Sequence, residues 1–281
     1  MFSESEDFED PFVVITHSER VANAFSEQSA AAIAAQRAAG GARSAAVRFR
    51  FIARKNPAGV SPPLARLLRG GGGRGGTARL RLYLSMLWLA RNEDAPVFSY
   101  PAHQWARLLG LDDPDTTGAR RVQESLRWLN SENFVRLERR RGAPSNIHLL
   151  DDAGSGKPYT SPGLLVKALA KRPAELEQHL YVQLSAAFWT RGWVRELSGA
   201  AVAMYLVLLH EQRGDPDKSV WIAPSVGHDV YDLSDETRRK GLNELVKHEM
   251  ASVRRRPVRQ GLFNDQYRGR NVYDLHPGVM G

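Results

Sequence analysis

Residues Thr116 to Asn130 read TTGARRVQESLRWLN, and after a short gap Val135 to Leu150 read VRLERRRGAPSNIHLL. In the first stretch Val122, Leu126 and Leu129 recur at i, i+4 and i+7, the spacing of one helix face turned toward a core. In the second, apolar and polar residues alternate into Arg139-Arg140-Arg141, then alternate again after Gly142 and Pro144. That pattern predicts a hairpin with a cationic tip, with Phe134 closing its base. The same order returns later. Asp235 to His248 read DETRRKGLNELVKH, with Leu242, Leu245 and Met250 in the apolar places, and a second hairpin over Ser252 to Leu275 carries Arg254, Arg255 and Arg256.

Working outward, the repeat extends upstream. Each half opens on a strand-like run, Val47 to Ile52 and Leu180 to Leu184, and Val60-Ser61 with Leu64 take the places of Leu184-Ser185 with Phe188. A long apolar helix follows in each, with stripes at Leu80, Tyr83, Leu84, Leu87 and Trp88 and at Ala201, Met204, Tyr205, Leu208 and Leu209. Short strands come next, Val97-Phe98 and Val220 to Ile222, and each precedes a proline near a helix start, Pro101 and Pro224. The fold class this order predicts is α+β, mainly α, with two tandem winged-helix domains at 47–150 and 179–281. A connector, 151–178, holds a short helix from Pro162 to Ala170 and sets the spacing of the two. Residues 1–46 comprise an acidic tail and an Ala-rich helix, Ser18 to Ala39, which could pack on the body, pair with another copy or stay free, and is expected as an arm without a specific partner.

Turning the helix Thr116–Asn130 by half a circle brings Thr116, Thr117, Arg120, Gln123 and Arg127 outward. Arg and Gln carry paired hydrogen-bonding groups that suit guanine and adenine edges, and Thr hydroxyls near a helix start suit phosphates. The second helix presents Thr237, Arg239, Lys240, Asn243 and Lys247, with Arg238 nearer its apolar face as a phosphate contact. Three consecutive arginines in each hairpin, at matching hairpin tips, repel one another and serve folding poorly. A groove lined with phosphates stabilises them, and Arg259, Arg268 and Arg270 enlarge the second cluster beside Tyr267. Formal net charge is +8. The first ten residues hold five acids and no Lys or Arg, so the remainder is more basic than that total. Such an excess favours a polyanion through counterion release.

Other chemistries lack their residues. Cysteine is absent, which removes disulfides, thiolate metal sites and Cys nucleophiles. The longest apolar run, Ala200 to Leu209, is too short to span a membrane, and an acidic start is unlike a secretory signal, so the cytoplasm is the expected compartment. Gly70 to Gly76 lacks the Gly-Lys-Ser/Thr ending of a phosphate-binding loop and reads as a flexible loop touching DNA through Arg74. Gly156-Lys157 is followed by Pro158 instead of the required hydroxyl residue. The histidines are scattered, and His228-Asp229 reads as a turn feature. Phe188-Trp189 with Gly192-Trp193 reads as core. No catalytic residue, metal ligand or cofactor is expected.

The element order, the two arginine-rich hairpins and the matched apolar helix positions over Val47 to Leu275 resemble tandem winged-helix proteins of the plasmid replication-initiator type. The resemblance implies sequence-specific binding of double-stranded DNA at repeated origin sites, self-association through one domain, recruitment of helicase with replication initiation or autorepression as the outcome, and no catalysis; the N-terminal arm has no counterpart in it and is left as a place for a replication or regulatory protein. A transcriptional repressor or partition-type DNA binder, and a winged-helix scaffold for proteins, are the alternatives.

Overall fold

The computed structural model describes residues 17–70, 74–91, 93–259 and 267–280; for 17–25, 74, 174, 259, 267 and 268 it describes the backbone alone. The chain begins with α1 (His17–Ala38), β1 (Ser44–Arg48), the single-turn α2 (Phe49–Ile52), α3 (Pro63–Leu68) and α4 (Arg74–Leu89). It continues with β2 (Val97–Phe98), α5 (Ala102–Leu108), α6 (Ala119–Ser131), β3 (Val135–Glu138) and β4 (Asn146–Leu149). The connector holds α7 (Pro162–Ala168) and α8 (Pro173–Leu176). Then follow β5 (Tyr181–Ser185), α9 (Ala187–Thr190), α10 (Trp193–Glu196), α11 (Gly199–Gln212), α12 (Pro224–Asp229), α13 (Asp235–Lys247), β6 (Ala251–Arg259), β7 (Tyr267–Leu275) and α14 (Pro277–Met280). The architecture is mixed α and β, mainly helical, with small antiparallel sheets. Among the described residues no helix is long and apolar enough to cross a membrane.

The repeat is present at the level of elements: strand, two short helices, a long helix, two helices and a hairpin, twice, with a short strand, β2, after the long helix of the first half and a single bridging residue, Val220, in place of the strand expected at Val220 to Ile222 in the second. In the first half the sheet order is β2-β4-β3. In the second, Val220 bridges to Tyr273 on β7, which pairs with β6, so the residue in the place of β2 lies against the equivalent arm of the hairpin. From Arg120 and Glu236 onward the two halves align without a gap through Leu129 and Leu245, both fully buried, to Phe134 and Met250, also fully buried. The residue before each of these takes a left-handed turn, φ 61° at Asn133 and 58° at Glu249.

Contacts between the halves join equivalent elements, the arrangement of an approximate twofold axis. Strands β1 and β5, each the first element of its half, pair antiparallel with the centre of one on the centre of the other, Ala46 against Gln183. Helices α4 and α11 end at left-handed Arg91 and Arg213, φ 52° and 51°. Counted back from those ends, Thr77 and Gly199 hold equivalent places, and they touch: the Gly199 N–H donates to Thr77 Oγ1 at 3.2 Å. A side chain at Gly199 would put its Cβ 2.7 Å from that oxygen, so glycine permits the approach. Aromatic contacts between the halves join the same elements, long helix to short helix, though not equivalent residues of the short helices. Trp88 of α4 stacks on Trp189 of α9 at 4.4 Å, and His210, the α11 counterpart of Trp88, meets Phe49 of α2 edge-on at 4.7 Å.

Several sequence expectations are corrected here. The strand expected at Val47 to Ile52 is β1 followed by a helical turn; alternating Arg and Phe resembles a strand, but Phe51 and Ile52 are both buried, as a turn of helix allows. Strand β1 therefore matches β5, and the correspondence of Val60-Ser61 with Leu184-Ser185 does not hold. Helix α1 is docked instead of being a free arm. Gln28 is fully buried and donates to Leu108 O at 3.3 Å and Trp189 O at 2.9 Å, one carbonyl from each half. The connector is likewise fastened: Asp152 and Tyr159 are buried, and buried Arg48 donates to Asp152 Oδ1 at 2.7 Å and to Thr160 O. The two halves share one continuous apolar core. Arg74 to Gly76 form the first turn of α4 instead of a loop, with Gly76 against Leu68 O, where a Cβ would sit 2.5 Å away. The acidic tail, residues 71–73 and the side chain of Arg74 lie outside the described residues.

Candidate nucleic-acid interface

Helix α6 is amphipathic along its length. Val122 and Leu129 are fully buried, Ser125 is buried with its hydroxyl on Arg121 O at 2.8 Å, and Gly118 at the helix entrance faces Asp112 O, where a Cβ would lie 2.9 Å away. A wide turn, Pro114–Gly118, precedes the helix, so Thr116 and Thr117 sit on that turn and not in the first helical turn. Thr116, Thr117, Arg120, Gln123 and Arg127 are all exposed, as the helical wheel requires. Arg127 makes no ion pair among the described residues, whereas Arg120 lies 3.8 Å from Glu124 one turn on.

The hairpin β3–β4 is held to this helix and braced at its stem. Asn130 Oδ1 accepts the Leu137 N–H at 2.9 Å, and Trp128 stacks on Phe134 while Arg79 lies 4.2 Å from the Trp128 ring. Glu138 takes hydrogen bonds from Asn146 at 3.1 Å and shares a 2.9 Å contact with His148, and these bonds hold its carboxyl below the usual range. Beyond that stem Arg139, Arg140 and Arg141 are exposed in the turn. The one hydrogen bond there runs from Arg140 to Asn146 at 3.4 Å, and no acid pairs with any of the three among the described residues.

Helix α13 begins with a Ser234 cap that accepts the Thr237 N–H at 3.1 Å. Its inner face is set by Leu242 and Leu245, and Gly241 brings it against α11, where a Cβ would lie 2.3 Å from Ala200 O. Glu244 accepts from the Ser198 N–H at 2.7 Å and its hydroxyl at 2.5 Å, fixing α13 to the start of α11. Arg239, Lys240, Asn243 and Lys247 are exposed. Arg239 and Lys247 make no ion pair among the described residues, while Lys240 lies 2.6 Å from Glu236. Two of the expected contacts are less outward than the others. Arg238 is turned inward beneath Gly227 and paired with Asp235, its side chain 11% exposed, so it serves the α12–α13 corner. Thr237 is half-buried with its hydroxyl 2.9 Å from Ser234.

The second hairpin differs from the first in where its arginines fall. Arg254, Arg255 and Arg256 lie along β6 and not at a tip, because pairing continues past Pro257, opposite Gly269, to Arg259. Proline is admissible there because β6 is an edge strand. Successive residues alternate faces, so Arg254 and Arg256 share one face with Arg270 on β7 while Arg255 points the other way. Arg254 is held by Asp274 at 2.7 and 2.9 Å and by Ser219 at 3.0 Å, and that guanidinium keeps the Asp274 carboxyl below its ordinary value. Arg256 stands directly opposite Arg270, whose guanidinium lies 4.0 Å from the ring of Trp221. The side chains of Arg259, Tyr267 and Arg268 lie outside the described residues.

Three residues on these surfaces were not singled out from sequence. Trp221, 42% exposed, supports Arg270; its segment reads as a short strand, and only the bridge at Val220 reveals which face it takes. Glu124 and Glu236 each pair with the cation one turn away on an outward helix face, a pairing visible in the i, i+4 spacing. Among the described residues no cluster of His, Asp or Glu has the grouping to hold a metal ion. Comparison with protein-family models, with curated proteins and with solved structures gives no match, so the chemistry of these two helix–hairpin surfaces rests on their own residues.

Proposed function

We propose that the chain binds double-stranded DNA in a sequence-specific manner, as two winged-helix units with α6 and α13 as recognition helices and β3–β4 and β6–β7 as wings. The observation that carries this reading is the arrangement of like charge. Arg139 to Arg141 share one exposed turn without an acid, and Arg256 is in register with Arg270 across a strand pair. Like charges so placed cost stability and are relieved by a polyanion. Arg120, Gln123 and Arg127 on one helix and Arg239, Lys240 and Asn243 on the other are the base-reading candidates. Thr116, Thr117, Lys247 and the wing arginines Arg139, Arg140, Arg141, Arg255, Arg256 and Arg270 are the phosphate contacts. Arg254 positions the second wing through Asp274. The resemblance described above supports initiation of replication at repeated origin sites as the outcome of binding.

The test is duplex binding over a salt series. Affinity falls steeply as salt rises, and replacing Arg139, Arg140 and Arg141 together by Ala lowers the slope of log K against log salt by nearly three while weakening all duplexes alike. Binding that is indifferent to salt, or no binding, returns the chain to the protein-scaffold reading. Binding to an operator without any unpairing of the bound DNA, read with a probe for unstacked thymines, assigns repression instead of initiation.

A further inference from the structure

Resting on the DNA-binding reading, we infer that the two outward helix faces read unlike half-sites, and that Glu124 and Glu236 are the side chains that make them unlike by selecting cytosine at different places in each half-site.

The gapless alignment of the two units matches Arg120 with Glu236, Gln123 with Arg239, Glu124 with Lys240 and Arg127 with Asn243. Each helix carries one exposed cation–carboxylate pair at i, i+4 on its outward face, and the order of sign is reversed. Arg120 precedes Glu124 at 3.8 Å, whereas Glu236 precedes Lys240 at 2.6 Å. In the major groove a carboxylate accepts from the N4 amino group of cytosine, and Arg or Lys donates to N7 and O6 of guanine. A carboxylate has no favourable partner on a phosphate-lined wall, whereas the edge of a cytosine offers it a donor.

The twofold relation of the halves sharpens the consequence. Two identical faces related by that axis would read an inverted repeat. Here the axis relates faces of opposite charge order, so the guanine and cytosine preferences occupy different places in the two half-sites. The site as a whole has a direction, and the chain sits on it one way round. Gln123 against Arg239 and Arg127 against Asn243 add to the difference without setting its sign.

The experiment is selection of duplexes from a randomised pool by the full chain, its E124Q variant and its E236Q variant. Both substitutions are on exposed positions and keep the helix, which an unchanged thermal transition confirms. The wild-type chain should recover two inverted half-sites about one helical turn apart that differ in sequence, each with a fixed cytosine. E124Q should relax the cytosine preference in one half-site alone and E236Q in the other alone. Duplexes symmetrised to either half-site should bind about tenfold more weakly than the recovered site. Recovery of a true palindrome, or unchanged preferences in both variants, overturns the inference while leaving DNA binding intact. Recovery of no duplex, together with no salt-dependent binding, overturns the DNA reading itself.

Discussion

Two buried titratable residues set opposing slopes in the stability of the molecule. Asp152 is fully buried at the foot of the first hairpin, and burial pushes its carboxyl up from 3.8 to about 6 against the attraction of Arg48. Burial presses the His210 imidazole the other way, from 6.5 down to about 4, against the pull of Glu211. Between about pH 4 and 6 the folded chain keeps a proton on Asp152 that the unfolded chain has lost, so this residue makes stability fall as pH rises. Between about pH 4 and 6.5 the unfolded chain holds a proton on His210 that the folded chain has shed, so this one makes stability rise. Each shift spans about two pH units and is worth roughly 3 kcal/mol, and the two nearly cancel. In D152N, which leaves Arg48 with Asp151 at 3.9 Å as counter-charge, denaturant unfolding should show stability climbing from pH 4 to 6.5. In H210Q it should decline over the same window. A D152N profile parallel to the wild type would show that the carboxyl titrates normally.

At the scale of elements, what the sequence made legible was whatever depends on local periodicity. The inner face of α6, the exposed arginine turn of the first hairpin and the entry prolines of α5 and α12 follow from spacing alone, because a helix face and a tight turn are decided within a few residues. The strand pair β1–β5 was illegible as a pair, because its strands lie far apart along the chain and neither carries a sign of its partner. The second hairpin was misread for a related reason. Pro257 resembles a strand end, and only the edge position of β6 lets pairing run on and move Arg254 to Arg256 from a tip to a strand face. Long helices were read as half-buried stripes, yet α11 is buried along nearly its whole length because both halves close on it. That closure is tightest where α13 crosses α11 at Gly241. A methyl group there meets Ala200 O at 2.3 Å and Met204 Cγ at 2.7 Å, and a backbone oxygen has no room to yield. G241A should therefore destabilise by about 1–3 kcal/mol and lower the melting temperature by about 5 °C. G75A in the first turn of α4, where the added methyl meets open space, should be neutral or stabilising by about 0.5 kcal/mol. Equal melting temperatures for G241A and the wild type would mean that the two helices separate without cost.

For the whole molecule, the question is whether the two halves are stable separately or only together. Their contacts favour the second. Gln28 bonds a carbonyl in each half, β1 pairs with β5, and Arg54 donates its backbone N–H to Val230 O across the junction at 2.9 Å. Trp189, a second-half residue, stacks on Trp88 and donates its indole N–H to Ser85 Oγ at 2.8 Å, both in the first half. Removing an indole so placed leaves a cavity at the junction and removes a donor from Ser85 Oγ, which keeps its own bond to Arg81 O at 2.8 Å, a loss of about 3–5 kcal/mol. If the halves form one cooperative unit, W189A transmits that loss to every element. Amide hydrogen exchange should then show protection in α6 and in α13 falling by the same free energy, with helix signal and tryptophan fluorescence melting in one transition. Should α13 lose protection while α6 keeps its own, the halves are separable and the twofold contact is an interface between two domains. In the cooperative case the junction holds the two candidate recognition helices at a fixed separation, which is the condition for reading two half-sites a set number of base pairs apart.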